Sequence, residues 1–352
     1  MRQKSISNKK TSLVIIVFLF LLLIGSFLYI SKLKENNKLL LDKNTILESE
    51  LSNKGLFRNA SKPITLNVEY GFHQGTHPKV LYFKDGFNGY KFYIAYTPYY
   101  KAQDETENPT IAVSNDGLIF NEIEGLNNPI DKPDNFKKGV NYNSDTHLVY
   151  NSDTKELECY WRYVEGSKII IYRKVTKDGV HFGDKEIVME GQLGKNDFLS
   201  PAIIYDNGIY KMWFIDHNRK VKYTESSDLK TWSEFKDVNV NYNDEQLNNW
   251  HFDVIKDSDD YKMVMSAYYN GHNHIRMNLY YSSSKDGINF DDMKVILTPK
   301  YATDAWDNEG IYRSSITIVD DMYYLYYSAI SSNEDRNIGL IKVKSFDELF
   351  FN

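Results

Sequence analysis

A chain of 352 residues, 42% hydrophobic and 26% charged, carries enough apolar material for a packed core, which excludes a disordered chain. A net charge of −6 and a pI near 5.8 exclude nucleic acid as the main partner. The lone Cys159 excludes an internal disulfide framework; in the strand-like run Leu157-Glu158-Cys159-Tyr160-Trp161 it reads as a buried structural thiol, not a nucleophile.

Residues 1–12 hold Arg2, Lys4, Lys9 and Lys10 and no acidic group. From Leu13 to Ile30 the 18 residues are uncharged and rich in Leu, Ile, Val and Phe. A bilayer span takes roughly 20 such residues. The run ends Ser26-Phe27-Leu28-Tyr29-Ile30 rather than in the small residues of a cleavage site. That ending predicts an uncleaved single-pass anchor over 13–30, with a cleaved signal peptide as the rival. The basic start places residues 1–12 in the cytoplasm and everything after Lys32 outside, a bias that Lys32, Lys34 and Lys38 reduce. Residues 31–56 are polar with Leu33, Leu40 and Leu47 seven apart, which suits a short helical stalk or a solvated spacer.

From residue 57 to 352 the texture is short aromatic strands and turns, such as Tyr90–Tyr96, Tyr210–Phe214 and Met322–Tyr327. A turn motif recurs: Ser114-Asn115-Asp116-Gly117 with Phe120, Thr176-Lys177-Asp178-Gly179 with Phe182, Ser227-Asp228-Leu229 with Trp232, and Ser284-Lys285-Asp286-Gly287 with Phe290. A degenerate copy stands at Ser345-Phe346-Asp347. The acidic residue makes the turn and the aromatic packs back on the sheet, so these aspartates are read as structural. Repeats of several strands at this spacing predict an all-β, five-bladed β-propeller.

Five strands with polar heads precede those turns, beginning at His77, Ser144, Ser200, Trp250 and Tyr312. Alternation along a strand puts His77 with Lys79, Asp145 with His147, His251 with Asp253 and Arg313 with Ser315 on one face. Ionisable pairs at equivalent places in four repeats point into a wet central cleft. Glu107, Arg162, Trp213, Asp216 and Glu309 are candidates to join them. Trp faces stack on sugar rings while carboxylates and Arg bind hydroxyls.

The strand heads, Ser-x-Asp-Gly turns and blade count over about residues 60–350 resemble the five-bladed furanosidase-type glycoside hydrolases, the arabinanase and β-xylosidase family 43 with its invertase and levansucrase relatives. The resemblance implies three catalytic carboxyls. Asp145 matches the second-blade Asp, whereas His77-Pro78 stands where the first-blade Asp-Pro is expected. Leu199-Ser200-Pro201 stands where the acid's Glu-Gly-Pro is expected. A relocated catalytic set would draw on Asp145, Asp253, Glu107 and Glu309. His77, Lys79, His147, His251, Arg313, Arg162, Trp213 and Asp216 would bind substrate. The histidines are also alternatives as general acid, or with Asp145 or Asp253 as ligands of a metal; the primary reading needs no metal and no cofactor.

The expectation is a membrane-anchored, outward-facing glycoside hydrolase-like protein acting on a cell-surface or extracellular polysaccharide. The alternatives are a non-catalytic carbohydrate-binding propeller and a glycosyl-transfer role in polysaccharide assembly, with a protein-interaction propeller last. The oligomeric state is not legible in the sequence.

Overall fold

The computed structural model describes residues 22, 24–34, 58–243, 246–271, 274–301 and 303–350. The chain divides into two units, Met1–Leu56 and Phe57–Asn352. In the first, residues 24–34 are helical. Among the described residues no helix is long and apolar enough to cross a membrane. The basic tail, residues 13–21 and 23 of the expected span and residues 35–56 of the stalk lie outside the described residues.

The second unit is all β. Five sheets follow one another along the chain, with inner strands Thr76–Phe87, Asn141–Asn151, Leu199–Asp206, Leu247–Asp257 and Gly310–Val319. Each pairs antiparallel with the strand that follows it. The first blade gains an outer parallel strand, Thr65–Asn67 against Ile119–Asn121. The predicted turns form as expected. Asp116 Oδ1 accepts the N–H groups of Leu118 and Ile119 while Ser114 Oγ accepts that of Gly117. The same pattern recurs at Asp178, Asp228 and Asp286.

The core lies between blades. Among the described residues the five larger apolar clusters each join two neighbouring blades. Leu148 and Cys159 meet blade one, Ile203 and Phe214 meet blade two, and Phe252 and Met265 meet blade three. Ile316 and Leu325 meet blade four, and Val319 and Tyr326 return to blade one, so the ring closes. Main-chain bonds seal the closure: Ile64 N–H donates to Ile338 O at 2.8 Å and Gly75 N–H to Arg336 O at 3.1 Å. Each fully buried large apolar side chain contributes roughly 1.5–3 kcal/mol, so the stability of the ring is spread over all five seams.

One departure from simple alternation positions the site. Every inner strand slips by a residue against its neighbour near its head. The slips fall between Thr76 and Lys79, Ser144 and His147, Leu199 and Ala202, Asn249 and His251, and Ile311 and Ser314. At the first three, His77, Asp145 and Ser200 take φ of +51°, +51° and +54°. Such bulges re-aim side chains, and non-glycine residues adopt this backbone only when the surroundings hold them there.

Candidate metal centre

The bulged strand heads meet at one end of the central channel, around a pocket of about 280 Å³. His77, Asp145 and His251 are buried at its base, and their ligand atoms lie within 4.8 Å of one another. His77 Nε2 is 3.4 Å from His251 Nε2 and 3.9 Å from Asp145 Oδ1, while His251 Nδ1 is 3.3 Å from Asp145 Oδ1. Burial holds both imidazoles below their usual pKa against the opposing pull of Asp145, so they are neutral at pH 7. Burial alone would raise the Asp145 carboxyl, but His251, His77 and Arg313 together outweigh it and hold the group well below the carboxylate range.

One carboxylate and two neutral imidazoles are a donor set for a divalent transition-metal cation. Three features of the protein fit that reading. Asp145 Oδ1 and His251 Nδ1 are buried with no hydrogen-bond partner, a state that buried polar atoms rarely keep. With each residue offering one atom, the three ligand atoms lie within 4.8 Å of one another, against roughly 3.4 Å for ligands about 2.1 Å from one tetrahedral cation. The far nitrogen of His77, Nδ1, is already engaged, 2.6 Å from Thr97 Oγ1 and 3.3 Å from Glu107 Oε1. Metal-binding histidines are oriented in this way.

Glu107 is the second buried carboxyl of the pocket. Burial first, then the charges of Asp145 and Asp104, push its pKa well above the usual value. Arg162 lines the same wall.

A second layer lies deeper in the channel. Lys79 Nζ sits 2.8 Å from both oxygens of Asp253, and Asp253 Oδ2 also accepts the Ile316 N–H at 3.0 Å. Arg313 Nη2 donates to Pro201 O at 2.9 Å and to His147 Nδ1 at 3.2 Å, and Arg313 Nη1 is 3.5 Å from Asp145 Oδ1. On its other side, His147 Nε2 lies 2.9 Å from Ile203 O and 3.0 Å from Ile203 N. These groups close the channel between the pocket and a second mouth of about 460 Å³ lined by Leu81, Tyr150, Tyr205 and Lys256.

The expected site residues therefore divide. His77, Asp145, His251, Glu107 and Arg162 come together in the pocket, and Arg313 touches it through Asp145. Lys79, His147 and Asp253 belong to the layer beneath. Glu309 pairs with Arg276 at 3.0 Å, away from the pocket lining. Trp213 packs between blades three and four with its Nε1 donating to Gly287 O, and Asp216 accepts the N–H groups of Asn218 and Lys220 in its own turn.

Sequence reasoning missed Trp250, Tyr312, His274 and Arg219. Trp250 stacks on His274 with ring centres 4.5 Å apart, the Arg219 guanidinium lies 4.5 Å from its ring, and its Nε1 donates to the Tyr312 hydroxyl. Strict alternation sends Trp250 and Tyr312 to the face opposite His251 and Arg313. The bulges at these positions break that alternation and leave them lining the pocket.

No family model matches the chain. A curated relative, A type blood N-acetyl-alpha-D-galactosamine deacetylase of Flavonifractor plautii, is 28% identical over 322 residues, covering 75% of this chain and 41% of the relative. The chain thus spans less than half of that protein's length. A crystal structure of an N-acetylgalactosamine deacetylase from F. plautii in complex with blood group B trisaccharide matches with a TM-score of 0.72 at 23% identity, over 83% of this chain and 98% of that one. The Cellvibrio cellulosa α-L-arabinanase complexed with arabinohexaose matches at 0.54 and 15% identity, over 76% and 91%. The likeness is one of fold. The chain has the five-bladed propeller architecture of arabinanase-type glycoside hydrolases, as its turns and strand heads predict.

Proposed function

We propose that this protein is a membrane-anchored, outward-facing carbohydrate hydrolase that removes an N-acyl group from an amino sugar of a surface or extracellular polysaccharide. In this reading the reaction depends on a divalent transition-metal cation. The observation that carries the proposal is the buried trio His77, Asp145 and His251, with two orphaned donor atoms facing one another. The deacetylase name of the F. plautii relative supports the choice of an amide rather than a glycosidic bond. The basic tail and the uncharged stretch from Leu13 to Ile30 support the anchor and its orientation.

Such a cation supplies Lewis acidity, polarising the acyl carbonyl and acidifying a water. Trp250 and Tyr312 give the pocket an aromatic wall on which a sugar ring stacks. Thr97 and Glu107 fix the His77 ring so that Nε2 faces the pocket. Glu107 then moves the proton: water adds to the acyl carbon, the C–N bond breaks, and the proton passes to the departing amine as the carboxylic acid leaves. Arg313, 3.5 Å from Asp145 Oδ1 in the layer below, adds to the His251 and His77 contacts that keep Asp145 ionised.

A second reading keeps the glycosidic bond as target, since Asp145 and Glu107 both line the pocket and glycosidases work with two carboxyls. One experiment separates them. The full chain is incubated with N-acetylated hexosamine oligosaccharides and with surface polysaccharide, and released acetate and new reducing ends are both measured. Acetate release that stops on chelation, returns with added zinc or manganese, and is lost in His251→Ala is the expected result. Reducing ends without acetate would instead establish a glycosidase. Binding with neither product would leave a lectin-like propeller.

A further inference from the structure

Arg162 is only 4% exposed, yet no carboxylate pairs with it among the described residues. Its Nε donates to the Asp197 carbonyl at 2.7 Å and its Nη1 reaches Ser144 Oγ at 3.3 Å, both neutral acceptors. Nη2 makes no hydrogen bond among the described residues, and it is absent from the atoms sealed away without a partner, so it remains open to the pocket that Arg162 lines. Of the other buried arginines among the described residues, Arg313 faces Asp145, while Arg336 lies over the Tyr99 ring away from this pocket's lining and likewise has no carboxylate partner. Leaving a desolvated guanidinium without a counter-charge is costly, and a cationic fork is the group best shaped to receive a planar anion.

Glu107, buried in the same pocket, feels the Arg162 charge, but no carboxylate forms an ion pair with the guanidinium among the described residues. Asp197 turns its own carboxylate to the Gly194 N–H, and Asp104 accepts from Gly139. Arg219, at the same pocket, lies over the Trp250 ring and likewise has no carboxylate partner among the described residues. A cation on His77, Asp145 and His251 would add positive charge to this wall.

We propose that the saccharide taken by this pocket is acidic, carrying a sugar-borne carboxylate that Arg162 receives and Arg219 attracts. The proposal rests on the reading of the pocket as a saccharide site and narrows its substrate class to uronate-type or similarly carboxylated amino sugars. A released acyl anion offers the same carboxylate chemistry, so the test separates the two sources.

The test is calorimetric titration of the full chain with 2-acetamido-2-deoxyhexuronates of gluco and galacto configuration, with the parent 2-acetamido-2-deoxyhexoses, and with acetate alone. The acid of at least one configuration is expected to bind about tenfold more tightly than its neutral parent, a difference of about 1.4 kcal/mol. Arg162→Gln should erase that preference, with an unchanged thermal unfolding midpoint showing that the variant is folded. Arg162→Lys should restore part of it, and Arg219→Gln should weaken the acid alone. Equal affinity of the wild type for acid and neutral sugar overturns the proposal, as does a preference that survives Arg162→Gln. Acetate binding with the same Arg162 dependence overturns it by assigning Arg162 to the released acyl group. Failure of every sugar to bind overturns the saccharide reading itself and this inference with it.

Discussion

Thr97 is a small residue with a large expected effect. It is fully buried, and its hydroxyl lies 2.6 Å from His77 Nδ1, the closest polar contact of the trio's surroundings. Removing a group that orients a metal-binding imidazole typically weakens binding about 10–100-fold. Thr97→Val, nearly the same shape, should therefore lower the affinity for zinc or manganese by about that factor, measured by competition with a chromogenic chelator. Affinity unchanged in Thr97→Val would show that Glu107 alone orients His77. At this scale the sequence was informative about residue types and silent about partners. Asp145 and His251 were legible as polar strand heads, but the Thr97 and Arg162 contacts depend on neighbouring strands.

At the scale of elements, the recurring acidic turn ties composition to stability. Asp178 and Asp286 are held below the usual carboxylate range mainly by backbone N–H groups of His181 and Asn289, and Asp228 by that of Thr231. Asp116 is lowered too, its turn N–H groups outweighing partial burial. The native pKa of each is depressed below the unfolded value of about 3.9. Their stabilisation is therefore complete above that value and disappears as pH falls through the lower native values. The urea midpoint should be insensitive to these groups between pH 7 and 5 and decline below about pH 4, and Asp178→Asn with Asp286→Asn should flatten the acid limb. An acid limb unaltered in the double variant would exclude the turns as its source. The inner strands carry the complementary lesson: a period of two predicts their buried faces, whereas the bulge at each head is set by pairing with the next strand.

For the whole molecule, the layer beneath the pocket joins blades across the channel. Lys79 comes from blade one, Asp253 from blade four, and the Ile316 N–H that Asp253 accepts from blade five. Both side chains are nearly fully buried, so removing one strands the charge of the other, at a cost of about 3–5 kcal/mol. Lys79→Met should destabilise by that amount, and Lys79→Met combined with Asp253→Leu should recover most of it, read from urea unfolding. Equal losses in the single and double variants would mean that the pair is not coupled. Trp213 shows the same dependence on tertiary context. An exposed Trp would suit a sugar, but this one fills the seam between blades three and four, where five-fold closure needs bulk.

The sequence by itself determined the all-β class, the number of blades and the ring of ionisable strand heads, because turn chemistry and strand periodicity are local and repeat with the chain. It also carried the uncharged stretch from Leu13 to Ile30, whose first half lies outside the described residues. Tertiary structure alone decided which heads meet. His77, Asp145 and His251 are separated by scores of residues, and they converge because the bulges of the first, second and fourth blades turn them inward when the ring closes. The same closure buried Lys79 against Asp253 and left Arg162 without an ion-paired carboxylate among the described residues, outcomes of cross-channel distance that no local pattern records.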